Sequence, residues 1–154
     1  MKRVALPLLL GAILSIAGVA SAGAVGDEPI WLVTEGEAML ASPPAARGSA
    51  ELPKNGPIIK IERPASMTDL SPPFPVEVVF EPRPGGTPPK MESLRVTYLK
   101  IVEVDVTDRF KPYIKDNRLF VEKANVPQGR HRLKISITDQ DGRTTAEILQ
   151  VTVK

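Results

Sequence analysis

A few residues in this 154-residue chain are of types and spacings that could do chemistry. Arg130, Arg132 and Lys134 alternate along "GRHRLKISIT", and Arg95 lies in "SLRVTYLK". Guanidinium and ammonium groups set out in that way suit phosphate, sulfate or carboxylate groups on a polymer. His131, the sole histidine, sits inside the same run. Asp139 and Asp141 precede Gly142 in "DQDGR" and resemble part of a calcium loop, which Asp105, Asp108 and Asp116 could complete from other segments. Asp105 and Asp108 also stand three apart in "VDVTDR". Glycoside chemistry uses a pair of carboxylates in that way, one as acid and one as base or nucleophile.

Each group has a simpler reading. No second histidine exists to join His131 on a metal. Arg143 follows Gly142, a cation where a calcium loop needs a ligand, and Asp-Gly is first of all a turn signal. Asp105 and Asp108 need a cleft and one raised pKa to work as acid and base, and at a strand end they read as turn residues. The basic row reads as a wetted strand face that Glu103 or Glu147 could neutralise. There is no cysteine nucleophile, no Gly-x-Ser-x-Gly elbow and no phosphate loop. The expectation is a non-catalytic chain with no cofactor and no metal. Its candidate surface for an anion or a partner is Arg95, Arg130, Arg132 and Lys134.

The elements that position these residues are strands. In Arg130–Thr138, His131, Leu133, Ile135 and Ile137 share one parity, and Arg130, Arg132, Lys134, Ser136 and Thr138 share the other. The apolar set must face the core, so the basic set faces water. "DQDGR" then reverses the chain, and Leu149, Val151 and Val153 return it on the core side. Upstream, "IIKIERP" places Ile59 and Ile61 on one face. "FPVEVVFEP" sends Val76, Val78 and Phe80 inward and Glu77 and Glu81 outward. "SLRVTYLK" sends Leu94, Val96 and Tyr98 inward, and "IVEVDVTDR" continues with Val102, Val104 and Val106 in register. "RLFVEKA" is a further short strand, and "DRFKPYIKD" allows one helical turn that Pro112 stops. Seven short strands over about 100 residues predict an all-β sandwich.

The last two strands carry a resemblance. "VPQGRHRLKISITDQDGRTTAEILQVTV" (Val126–Val153) looks like the end of a bacterial immunoglobulin-like (cadherin/fibronectin III-like) sandwich domain. That family's pattern is a Pro-x-Gly-x-His/Tyr start, an alternating strand, an Asp-rich Gly turn and an alternating final strand. Leu133 stands where the antibody members carry a cysteine, and Tyr98 or Val96 would replace their core tryptophan. The resemblance implies an immunoglobulin-like antiparallel sandwich. It also implies a corner role for His131, its ring packed inward and one ring nitrogen on a nearby backbone carbonyl.

The first residues set the compartment. Lys2 and Arg3 precede an apolar run from Val4 to Val19, and Ala20-Ser21-Ala22 supplies a small-x-small cut site. Residues 1–22 are therefore expected to be a secretory signal peptide, cut before Gly23. No cysteine follows to take a lipid, and no membrane span is expected after cleavage. Of the 20 Lys+Arg in the chain, Lys2 and Arg3 leave with the signal, so the remainder balances its 18 Asp+Glu. That neutrality gives no field for nucleic acid. A chain without cysteine must also hold its fold by its core alone. Residues 23–56 read as a flexible, Pro/Ala-rich, acidic lead, with an apolar patch at Ile30–Val33 that either docks on the domain or waits for a partner. Residues 57–154 make one domain. The function expected is a periplasmic or secreted interaction module that binds a protein partner of the envelope by a sheet edge or face. The rival is a binder of anionic polysaccharide or other envelope polymers through the basic strand face.

Overall fold

The computed structural model describes residues 28–44 and 51–154, and the expected signal peptide lies outside them. Alternating strands form two sheets over one apolar space. The first sheet holds β1 (Ile30–Trp31), β2 (Ile58–Arg63), β3 (Phe74–Glu81), β6 (Ile114–Lys115) and β7 (Arg118–Asn125). Its order is β1-β7-β3-β2, with β6 also on β7. The second sheet holds β4 (Pro89–Tyr98), β5 (Val104–Asp105), β8 (Gly129–Asp139) and β9 (Thr144–Val153), in the order β5-β4-β8-β9. Val76, Val78 and Phe80 meet Leu94, Val96, Tyr98, Leu133, Ile135 and Ile137 across the gap, all buried. With no disulfide, these aliphatic and aromatic side chains hold the sheets together, each contributing about 1.5–3 kcal/mol when fully buried. Glu77 points away from this core yet is covered, because Arg63 and Arg118 close over it at 3.3 and 3.2 Å.

The expected strand through Val102, Val104 and Val106 is corrected by the structure. Only Val104–Asp105 pairs with β4, and Val102 is 69% exposed. Leu99 continues the β4–β8 pairing, its N–H donating to Arg132 O at 2.8 Å. Lys100 is then buried where alternation would put an apolar residue. Its ammonium donates to Ala38 O (2.8 Å) and Ser42 Oγ (3.2 Å), and it lies 5.3 Å from the Tyr98 ring centroid. Drawing Lys100 inward turns Ile101 and Val102 out. After Val106 the chain makes helix α2 (Thr107–Phe110) and a 3-10 turn (Lys111–Tyr113) that carries Pro112.

The groups that hold Lys100 belong to residues 28–44, which pack on the domain. Ile30–Trp31 pairs in parallel with Ala124–Asn125, and Leu32 and Val33 enter the core. Thr34 caps the helical turn α1 (Glu35–Ala38), and the Glu37 carboxylate accepts from Thr34 N in a capping box. Glu37 also takes Arg109 in a two-pronged pair of 2.6 and 2.8 Å, and Arg109 donates to Leu32 O at 2.8 Å. Ala41 O then accepts from Ile101 N at 2.9 Å. This strap runs from the β7 edge of one sheet to the loop after β4 in the other.

His131 lies inside the sandwich. Its Nε2 is 2.8 Å from Pro127 O, and its Nδ1 is 2.9 Å from Tyr98 Oη. A carbonyl can only accept, so Nε2 carries the proton, Nδ1 accepts, and Tyr98 donates. Burial pushes the Tyr98 hydroxyl up to about 12. Burial also pushes the His131 pKa down, and the charge of Lys100 adds to this, against the opposing bond to Pro127 O.

His131→Ala leaves Tyr98 Oη without its acceptor and opens a cavity, so thermal unfolding should show a loss of about 3 kcal/mol. An unchanged midpoint would contradict that role. Because His131 has a lowered folded pKa, its contribution is full above pH 6.5 and declines as pH falls through that value. Glu37 is held down at about 2, first by its bonds from Arg109, so its contribution is full above pH 4.5 and is lost between 4.5 and about 2. Glu37→Gln should cost on the order of 2 kcal/mol at pH 7, and the gap from the parent should shrink below pH 4.5. A gap independent of pH would refute the ion-pair assignment.

Candidate functional site

The outward side of β8 carries Arg130, Arg132 and Lys134, as its alternation requires. The register sets Arg95 diagonal to Lys134 but roughly 14 Å along the sheet from Arg132. Lys134 stands opposite Thr97, and Arg95 stands opposite Ser136. Arg95 also donates to its own neighbourhood, to Leu94 O at 3.0 Å and Glu92 O at 3.4 Å. Lys134 is paired with both carboxylate oxygens of Glu103 at 3.2 Å. Glu147 pairs in register with Ile135, so it leaves from the opposite side of the sheet. The four cations therefore do not act as one row.

Arg130 and Arg132 are different. No described acid lies within ion-pair distance of either. Their Cα atoms are roughly 7 Å apart along one side of a strand. They border a depression of about 290 Å³ whose other walls include Lys100, Ser42 and Gln150. Gln150 is the β9 residue opposite Arg132. Lys100 adds a third cation beneath, itself held by neutral groups and no carboxylate. Ser42 comes from the strap, so the lead that reads as a linker in sequence supplies a wall of the depression. Lys100 is the residue that sequence reasoning missed. It sits at an apolar parity position, which makes a kink visible but not the hydroxyl and carbonyl that receive its ammonium.

The acidic candidates are occupied by other work. Asp139 Oδ1 accepts from the N–H groups of Asp141 and Arg143 at 2.9 Å, and Oδ2 accepts from Arg143 Nε at 2.8 Å. Asp141 takes the other end of the same guanidinium at 2.8 Å. Gly142 completes the turn with φ +82°. Burial opposes ionisation of Asp139, but the N–H groups and guanidinium of Arg143 outweigh it, and the carboxyl stays below its usual range. Asp105 accepts from Thr107 N at 2.9 Å, and hydrogen bonding from Thr107 lowers its pKa. Acid–base work by Asp105 and Asp108 needs one carboxyl raised, and Asp108 is turned onto Lys111 at 2.5 Å. Asp116 sits apart at positive φ (53°), in the turn between β6 and β7. Among the described residues no group of three or more His, Asp or Glu could hold a metal ion.

What this arrangement can do chemically is receive an oxyanion. Two unpaired guanidiniums, the Ser42 hydroxyl and the Gln150 amide line a shallow hollow as donors, and the Lys100 ammonium, its own donors already met, adds positive charge. In comparisons with known proteins, no family model, no curated protein and no solved structure matches the chain.

Proposed function

We propose that this chain is an exported, non-catalytic binding module of the periplasm or cell exterior, built on an immunoglobulin-like sandwich. Its binding face is the Arg130–Arg132 side of β8, and its ligand presents phosphate, sulfate or carboxylate groups. The strand order supports the immunoglobulin-like assignment. β2, β3 and β7 lie in one sheet, and β5, β4, β8 and β9 lie in the other, in the sequence of neighbours that such domains use. The signal-like residues 1–22 support export. The absence of catalysis is supported by the histidine closed between Tyr98 and Pro127 and by carboxylates already committed to Thr107, Lys111 and Arg143.

The observation that carries the anion reading is the pairing pattern. Arg130 and Arg132 lie on one strand face and border one hollow, and no described acid meets either, whereas Lys134 beside them is paired with Glu103. Unpaired arginines on a rigid strand meet an anion without first breaking an ion pair and with little loss of backbone freedom.

One observation favours a protein partner at a sheet edge as the second reading. The outer edge of β9 is covered at both ends, where Ala146 N donates to Pro53 O and Thr152 N donates to Met67 O. By alternation the backbone groups of Ile148 and Gln150 also point outward, and no described backbone meets them. The gap is short, which limits strand addition to about two residues of ladder.

The exported protein should bind soluble polyphosphate, with affinity falling steeply as ionic strength rises. Arg130→Gln with Arg132→Gln should weaken binding at least about tenfold, whereas Lys134→Gln and Arg95→Gln should change it less than about twofold. Binding indifferent to salt and to the double replacement would refute the anion site and favour the edge.

A further inference from the structure

Beside the arginine hollow lie four apolar side chains that the fold leaves in water. Met39 is 83% exposed, Leu40 42%, Ile101 64% and Val102 69%. They come from two loops some sixty residues apart. The bonds from Ile101 N to Ala41 O and from Lys100 Nζ to Ala38 O hold those loops side by side. Isolated exposed aliphatic residues are ordinary, but these lie on two joined loops whose neighbouring residues, Ser42 and Lys100, line the arginine hollow, and apolar side chains next to unpaired cations mark a contact surface. The nearby acids do little to oppose an anionic partner. Glu37 is spent on Arg109 and Glu103 on Lys134, which leaves Glu35 on the helical turn.

We propose that this corner seats the protein on an anionic lipid surface. Met39, Leu40, Ile101 and Val102 enter the boundary between headgroups and acyl chains, and Arg130 and Arg132 take lipid phosphates. The proposal rests on the anion reading above and names the source of the phosphate. The residue types choose lipid over protein. Protein hot spots are built on aromatic anchors that fill pockets, whereas these are aliphatic side chains at loop tips. Loop-tip aliphatics with arginines at their base match the layering of a headgroup region, apolar below and phosphate above. No described helix is long and apolar enough to cross a membrane.

The test is co-sedimentation of the exported protein with vesicles of phosphatidylcholine containing phosphatidylglycerol, beside vesicles of phosphatidylcholine alone. Binding should require phosphatidylglycerol and weaken with salt. Ile101→Ser with Val102→Ser, both at exposed positions, should reduce vesicle binding about tenfold while leaving soluble polyphosphate affinity within about twofold. Arg130→Gln with Arg132→Gln should reduce both. Polyphosphate binding without vesicle binding would overturn the lipid proposal and leave the anion site standing. Loss of neither ligand in the arginine variant would overturn both. Equal binding to phosphatidylcholine alone, or an Ile101/Val102 variant that binds vesicles like the parent, would also overturn the lipid proposal. So would a protein crosslink that depends on Ile101 and Val102 in the absence of vesicle binding.

Discussion

The alternation of one strand governs this molecule. β8 runs eleven residues, from Gly129 to Asp139, and is paired on both sides. Its inward set, His131, Leu133, Ile135 and Ile137, sits at the centre of the apolar space. Its outward set gives the arginines. The two cannot be separated, because a slip of one residue would bury three cations and expose the core. Full pairing with β9 from Gly129 to Thr138, and with β4 at both ends of a bulge, fixes the register. The backbone that carries the proposed binding face is thus held by the same pairing as the core behind it.

A second constraint is the fate of charge at the strap. Lys100 is buried without a carboxylate, and Glu37 is partly covered with one guanidinium. Each joins residues 30–42 to the domain. Burial of a lone ammonium is costly unless its donors are met, and here a carbonyl, a hydroxyl and an aromatic face meet them. That arrangement brings Ser42 to the rim of the arginine hollow and holds the loop of Met39 and Leu40 against the loop of Ile101 and Val102. One buried lysine thereby links a terminal segment, the site wall and an exposed apolar corner.

The sandwich was legible in the sequence wherever alternation was unbroken. β3, β4, β8 and β9 each place the expected residues inward, and "DQDGR" turns where Asp and Gly predict it. Legibility failed where a tertiary partner overrode local pattern. Val102 carries an apolar side chain at the expected parity, yet Lys100 takes the inward position because Ala38 O and Ser42 Oγ wait for it. Ile30–Val33 was readable as apolar but not as paired with Ala124–Asn125, since nothing local specifies a parallel partner ninety residues away. The site was half readable. The outward parity of Arg130, Arg132 and Lys134 follows from sequence. Register with β4 and the position of Glu103 do not, and these remove Arg95 and Lys134 from the group.

If unpaired Arg130 and Arg132 make the outward side of β8 a receptor for oxyanions, amide chemical-shift mapping of residues 23–154 titrated with polyphosphate will locate the ligand there. Saturable shifts should appear at Lys100, Arg130, Arg132 and Gln150, with the Asp139–Arg143 turn and the β7 edge silent. Shifts centred on that turn or that edge, or none at all, would contradict it.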